Sequence, residues 1–268
     1  MVQEEQMSRI SNSIKENHNK PALIPFIVSG YPDIEATKDL LYLFQEHKVA
    51  AIELGIPFSD PLADGPIIQN AAKKAIESGI NLDKIFDLLL EVKEDIKTPI
   101  VLFSYFNPIL HYGLNNFISR AKLANVAGVI IPDLPVEESE EFSRLCQENN
   151  IDFIMLIAPT SDKDRIRTIA KKATGFIYLV SSTGVTGVRD NFSETLLSII
   201  TEVKNTIDTP IAVGFGVSKP EHISNLKELN VDGAIVGSAL VKIIDQYKDD
   251  KALLLGKISE YLDSLYKA

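Results

Sequence analysis

The chain has 268 residues, with 27 Lys or Arg against 37 Asp or Glu, so its formal net charge is −10. This acidic balance argues against nucleic acids and anionic membranes as main partners. The single cysteine, Cys146, excludes a disulfide scaffold and predicts a reducing compartment. No apolar run is long enough to cross a bilayer, and the first 20 residues, which carry acids early, lack the apolar segment of a secretory signal. We therefore expect a cytoplasmic protein without a membrane partner.

Eight short apolar runs alternate with amphipathic stretches along the chain. The runs are 22–30, 50–55, 99–105, 127–133, 152–159, 174–182, 210–216 and 232–238. Near-continuous apolar runs of this length are typical of parallel strands covered on both faces, and helical periodicity fills the gaps between them. Eight strand-helix units predict an α/β fold, a (β/α)8 TIM barrel. A doubly wound open sheet is the alternative, but it usually has roughly five or six strands.

The start of the chain predicts one helix more than the barrel requires. Met7, Ile10 and Ile14 lie on one face of such a helix, within residues 1–20, and we expect it to cap the N-terminal end of the barrel. No Ser/Gly linker or change of composition divides the sequence. We therefore expect one domain over residues 1–268.

Glu53 is the first candidate for chemistry, since active sites of such barrels lie at the C-terminal ends of the strands. It stands near the end of the second run, where strand alternation separates it from Ile52 and Leu54. If those residues face the helices, Glu53 points into the barrel, and burial should raise its pKa toward neutrality. That suits a general acid or base. A buried ion pair is the alternative, although none of the eight runs contains Lys or Arg.

Two aspartates follow in the loop 57–66. Asp60 precedes a proline, as in ordinary turns, and Asp64 precedes Gly-Pro, as a helix N-cap would. A second acid at the same end of the barrel as Glu53 is equally suited to accept an N–H from a substrate. From the spacing alone, both interpretations of Asp64 stay open.

Glycine clusters follow the last three runs, at 184–187, 214–216 and 237–238. The last of these opens directly into a helical pattern. In TIM barrels a phosphate commonly binds to the loops after strands 7 and 8 and to a helix N-terminus, where glycine permits close approach of the backbone. The clusters therefore predict a phosphorylated ligand.

The absence of certain residue types from the strand ends limits the reaction types that the site could catalyse. No Lys stands there for a Schiff base, and the four histidines fall in predicted helices or loops, so we expect no metal site. Asp133 and Tyr178 also lie near strand ends, but a turn residue and a core aromatic are equally good interpretations.

Five segments carry a resemblance to a known family. The segment AIELGIPFSDPLADGP (51–66) resembles the signature of the tryptophan synthase alpha chain family around its catalytic acids. Four later blocks are similar to that family at matching spacing: 128–139, 178–189, 213–222 and 233–241. The first segment is specific, whereas other phosphate-binding barrels share the glycine blocks.

The resemblance implies a lyase that reversibly cleaves indole-3-glycerol phosphate to indole and glyceraldehyde 3-phosphate. It implies no cofactor in this chain, and a beta-chain partner, holding pyridoxal phosphate, that receives the indole in an α2β2 heterotetramer. The loops after strands 2 and 6 would exclude water from the substrate.

By position, the resemblance assigns the acid/base to Glu53 and the contact with the indole N–H to Asp64. The substrate-binding residues that it implies are Phe26 and Phe215 at the indole ring, the active-site Tyr178, Thr186, and the phosphate-site residues Gly187, Gly216, Gly237 and Ser238. Ser182 and Thr183 depart from the enterobacterial-type loop, which has Arg at the first of these places.

Rival functions remain at this stage. A pentose-phosphate epimerase would need histidines at strand ends, and indole-glycerol-phosphate synthase would need lysines there. A free-standing lyase without a beta partner would have the same residues as this chain. A non-catalytic subunit that only activates a partner is disfavoured by the intact pair of Glu53 and Asp64.

Overall fold

The computed structural model describes residues 8–180, 189–214 and 216–268, without the side chains of residues 189–194. It contains eight strands: β1 (Ala22–Val28), β2 (Ile52–Gly55), β3 (Ile100–Phe103), β4 (Gly128–Ile130), β5 (Asp152–Ile157), β6 (Ile177–Val180), β7 (Ile211–Gly214) and β8 (Gly233–Val236). All pair in parallel in chain order, and β1 also pairs with β8, which closes the barrel. The predicted TIM barrel is confirmed, and each strand lies within its predicted run.

Twelve helices surround the strands in the described part of the chain. They are α1 (Arg9–Glu16), α2 (Ile34–Glu46), α3 (Pro66–Glu77), α4 (Leu82–Val92), α5 (Phe106–Tyr112), α6 (Leu114–Leu123), α7 (Glu140–Glu148), α8 (Lys163–Lys172), α9 (Arg189–Thr206), α10 (Pro220–Glu228), α11 (Ser238–Tyr247) and α12 (Lys251–Tyr266). Two helices instead of one follow each of β2, β3 and β8. None of the described helices is long and apolar enough to cross a membrane.

The pairing register decides which side chains enter the barrel, because aligned residues of parallel strands point to the same face. Glu53 is aligned with Phe26 on one side and with Val101 on the other. Its neighbours Ile52 and Leu54 therefore point to the opposite face, where both are fully buried. The register thus places Glu53 on the interior side of β2, as the alternation predicts.

Helix α1 lies across the N-terminal ends of the strands. Ser11 donates a hydrogen bond to the carbonyl of Gly175 at 2.6 Å, and Ser13 donates one to the carbonyl of Ala50 at 2.6 Å. These carbonyls precede β6 and β2, on opposite parts of the barrel. Ile10, a residue of this helix, is completely buried. The extra N-terminal helix is confirmed, although Met7 lies outside the described residues.

Replacement of Ile10 tests how much this helix contributes to stability. Its Cδ1 lies 2.7 Å from the position that a Cβ on Gly128 of β4 would occupy, so Ile10 fills the space at the barrel floor. We expect Ile10→Ala to lower the free energy of unfolding by about 2–5 kcal/mol in urea titrations, because it leaves a cavity. Leu253→Ala is the control, since that side chain is 42% exposed. Equal losses in both variants would contradict a structural role of α1.

Candidate active site

A cavity of about 190 Å3 opens at the C-terminal ends of the strands. It is lined by Phe26, Asp64, Ile68, Phe103, Tyr178, Gly216, Val217, Ser218, Ile235, Gly237, Ser238 and Ala239. Six of the residues expected at the site are among them: Phe26, Asp64, Tyr178, Gly216, Gly237 and Ser238. The expected residues Thr186, Gly187 and Phe215, together with Ser182 and Thr183, lie outside the described part of the chain.

Glu53 lies in the barrel interior beside this cavity and is 0% exposed. Neither carboxyl oxygen has a hydrogen-bond partner among the described residues, and none of the ion pairs found there includes Glu53. Burial raises its pKa well above the ordinary value, because water no longer solvates the charged form. The alternative of a buried ion pair therefore finds no support in the described residues, and burial favours the protonated form of the carboxyl.

Asp64 is not the N-cap that one interpretation of the loop predicted. Gly65 is the N-cap of α3, with Pro66 at the first helical position, and no side chain caps this helix. Instead, the carboxylate of Asp64 accepts a hydrogen bond from the hydroxyl of Tyr105 at 3.1 Å. Burial raises the pKa of Asp64 to about 6, and the hydrogen bond from Tyr105 opposes this shift. With a pKa of about 6, Asp64 is thus mostly ionised at neutral pH.

Tyr105 is the residue at this site that the sequence analysis did not single out. It follows β3 and is 4% exposed. Its hydroxyl accepts a hydrogen bond from the backbone N–H of Ala63 at 2.8 Å while donating to Asp64, and its ring packs on Phe58 with 5.3 Å between centroids. Tyr105 therefore fixes the loop after β2 at both its backbone and its acid. Its place just beyond the C-terminal end of a strand was the available signal.

Tyr178 points from β6 into the interior, where it is buried. Burial raises its pKa most, and the negative charges of Glu53 and Asp64 raise it further. All three groups therefore lie close enough to interact electrostatically. A Cβ on Gly214 would collide with the Tyr178 hydroxyl, so this glycine, predicted for phosphate binding, makes room for the tyrosine.

Two other glycines that the sequence predicts for phosphate binding, Gly216 and Gly237, also line the cavity. Gly237 is the N-cap of α11, and no side chain caps that helix, so its first N–H groups are available next to the cavity. A Cβ on Gly237 would lie 3.2 Å from Phe26 Cδ1. Gly216 has a φ of +87°, which favours glycine. A helix N-terminus with positive partial charge is a suitable place for a phosphate.

The remaining sequence candidates have structural explanations. Asp133 accepts a hydrogen bond from the backbone N–H of Phe106 at 2.9 Å and so acts as a turn residue. The ring of His222 accepts one from the backbone of Ser218. No group of three or more potential metal-ligating side chains occurs within the described ranges.

Comparisons with known proteins agree with this geometry. The family model described as "Tryptophan synthase alpha chain" matches residues 13–268. A tryptophan synthase alpha chain from Petrotoga mobilis is 46% identical, over 97% of this chain and 99% of its own length. One from Antithamnion sp. is 43% identical, over 98% and 99% respectively.

Solved structures extend the likeness to three dimensions. A chain in the tryptophan synthase a2b2 complex of Pyrococcus furiosus superposes with a TM-score of 0.85 at 38% identity, covering 93% of this chain and 99% of that one. A mutant tryptophan synthase alpha-subunit from the same organism gives a TM-score of 0.84 at 36% identity, with the same coverage. On sequence, barrel and near-complete mutual coverage, the chain belongs to the tryptophan synthase alpha chain family.

Proposed function

We propose that this chain is the alpha subunit of a tryptophan synthase. In this role it reversibly cleaves indole-3-glycerol phosphate to indole and glyceraldehyde 3-phosphate. The observation that carries the proposal is the fully buried, unpartnered carboxyl of Glu53 beside the cavity that contains Asp64. Such a carboxyl costs stability, and acid/base catalysis accounts for its presence.

In the first step, protonated Glu53 donates its proton to C3 of the indole ring. The ring becomes an indoleninium cation, with positive charge at the nitrogen. Ionised Asp64 accepts the N–H and stabilises this charge, and the hydrogen bond from Tyr105 holds its carboxylate in place. The raised pKa of Glu53 favours a carboxyl that carries a proton, and the pKa of about 6 leaves Asp64 mostly ionised at neutral pH, which suits these two roles.

In the second step, the bond between C3 and the glycerol side chain breaks. Its electron pair returns to the ring and restores the aromatic indole. The side-chain hydroxyl loses its proton to the Glu53 carboxylate, and its carbon becomes the aldehyde of glyceraldehyde 3-phosphate. Glu53 ends the cycle protonated, and the protonated ring has served as electron sink. This chemistry requires no cofactor in this chain.

The rest of the proposed site holds the two ends of the substrate. Phe26 and Phe215 contact the indole, and Tyr178 and Thr186 complete the substrate pocket. Gly187, Gly216, Gly237 and Ser238 bind the phosphate through backbone N–H groups, where side chains would prevent close approach. The loops after β2 and β6 close over the substrate and exclude water.

We also propose a beta-chain partner in an α2β2 heterotetramer, which receives the indole and contains pyridoxal phosphate. The match to a chain of the Pyrococcus furiosus a2b2 complex supports this. Leu62, in the loop after β2, is 84% exposed, and Leu110, on α5, is 50% exposed. Both residues follow the C-terminal ends of their strands, the end of the barrel at which the cavity opens, and exposed apolar side chains there suit an interface. The protein is proposed to act as one domain in the cytoplasm.

Glu53→Gln tests the acid/base. We expect turnover of indole-3-glycerol phosphate to fall by about 10⁴-fold or more, because one carboxyl serves in both steps. Asp152→Asn is the control, since Asp152 is a buried acid with a raised pKa at the opposite end of the barrel, and it should retain activity. An active Glu53→Gln variant would overturn the assignment.

The same variant should change how stability depends on pH. Glu53 has a folded-state pKa raised above the ordinary 4.5 of the unfolded chain. As the pH rises above 4.5, the unfolded chain releases this proton before the folded protein does, and stability declines. Glu53→Gln lacks this decline, so its stability relative to wild type should increase from pH 4.5 upward in urea unfolding. A hidden ion pair would instead cost the variant about 3–5 kcal/mol.

Asp64→Asn should remove most activity and keep the fold, since a neutral amide does not balance the indoleninium charge. In the wild type, kcat/KM should decline as the pH falls through about 6, where Asp64 becomes protonated. Kinetics from pH 5 to 8 measure both effects. Full activity of Asp64→Asn would contradict the catalytic role of Asp64 and leave only a structural one.

Addition of a beta chain should raise the lyase activity of the purified chain. The physical reason is that docking favours the closed arrangement of the loops, which completes the site. Steady-state assays with and without a beta chain measure the effect. Full activity in the isolated chain, unchanged by the partner, would favour the free-standing lyase.

A further inference from the structure

The first residues of two helices, α3 and α11, line the catalytic cavity. Helix α3 starts at Pro66, directly after the loop with Asp64, and α11 starts at Ser238, beside the proposed phosphate site. Residues from the beginning of each helix line the same cavity. Any shift of one helix against the other therefore changes the distance between Asp64 and the phosphate site.

The outer sides of these two helices are separated by a second cavity. This cleft measures about 270 Å3 and is lined by Tyr31, Pro66, Ile67, Asn70, Ala71, Val241, Lys242 and Asp245. The apolar side chains of Ala71 on α3 and Val241 on α11 are each 1% exposed and form the apolar part of the cleft wall. On the outer side the contact between the helices is polar.

That polar contact is centred on Asp245 of α11. Its Oδ1 accepts hydrogen bonds from Lys74 of α3 at 3.0 Å, from Lys248 at 3.1 Å and from the hydroxyl of Tyr31. Tyr31 belongs to the loop after β1, and Nζ of Lys74 lies 5.5 Å from the centre of its ring. One carboxylate thus joins α3, α11 and the loop after β1.

The cluster joins the same two helices whose first residues line the cavity, so a change in the cluster can shift those residues. Lys74 lies eight residues after Pro66, and Asp245 seven residues after Ser238, so each is about 10–12 Å along its helix from the end that reaches the cavity. Tyr31 is 3% exposed, so its ring is a fixed support and not a mobile surface group. Three charge-assisted hydrogen bonds on one oxygen are stronger than a lone surface ion pair.

We propose that Tyr31, Lys74 and Asp245 form a clamp that sets the separation of α3 and α11, and thereby positions Asp64 relative to the phosphate of the substrate. The three are positioning residues, since none of them lines the catalytic cavity. The inference rests on the proposed function for its substrate, but the clamp itself is a property of the two helices.

Asp245→Asn tests the clamp, because it removes the charge and keeps the shape of the side chain. We expect kcat for indole-3-glycerol phosphate to fall about 10-fold or more, as misplacement of reacting groups by about 1 Å can cost 100-fold. Binding of glycerol 3-phosphate, which does not involve Asp64 or α3, should stay within about twofold. Lys74→Met should act alike, and Asp245→Glu, which keeps the charge, should restore most of kcat.

Asp87→Asn is the matched control. Asp87 of α4 bonds Arg120 of α6 at 2.8 Å, so this variant also breaks an ion pair between two helices, but away from the cavity. A purely structural role predicts equal losses of melting temperature in the Asp245 and Asp87 variants and an unchanged kcat in both. That result would overturn the clamp.

Amide hydrogen exchange provides a readout that needs no turnover. Residues 62–70 should exchange faster in Asp245→Asn than in wild type or Asp87→Asn, because the start of α3 is released. Unchanged exchange would overturn the clamp. If wild type with its beta chain does not cleave the substrate, the proposed function fails, and the exchange data alone decide about the clamp.

Discussion

Closure of the barrel by pairing of β1 with both β2 and β8 is the constraint on which the site depends. A closed ring of eight strands leaves interior space for only a few side chains. At the C-terminal ends of the strands, Phe26 and Tyr178 use much of this space, and Gly214 lacks the side chain that would collide with the tyrosine. The small cavity that remains is the one that contains Asp64 and adjoins Glu53.

The enclosed interior also shifts the pKa values of the two acids by different amounts. Glu53 is completely buried and without a described partner, and burial raises its pKa well above the ordinary value, which favours the protonated form. Asp64 is nearer to solvent and accepts a hydrogen bond from Tyr105, so its pKa stays near 6. In our proposal, this difference gives the site a proton donor and an anion that act on the same substrate. The burial that makes Glu53 an acid is also what makes it costly for the fold.

The barrel alone does not connect the loop that contains Asp64 with the proposed phosphate side of the cavity. Helices α3 and α11, each the first of two helices after its strand, make this connection, with Ala71 and Val241 packed inside and Asp245 bonded to Lys74 outside. Burial of apolar surface holds the helices together without direction, whereas the polar cluster fixes their spacing through directional bonds. Apolar burial thus provides the stability of the contact between α3 and α11, and the polar cluster sets the distance between the two helices.

The sequence by itself determined the strand positions, the barrel, the extra helix and the inward direction of Glu53. These follow from local patterns, since alternation and apolar runs report directly on which face of a strand is buried. Only the folded chain shows that Asp64 is not a helix N-cap and that it bonds Tyr105, which lies 41 residues away at another strand end. The same holds for Gly214, whose partner is a tyrosine of the neighbouring strand, and for Asp245, which meets Lys74 across 171 residues. Contacts between distant segments leave no periodic trace in the chain, so they become visible only when the barrel has brought its loops and helices together.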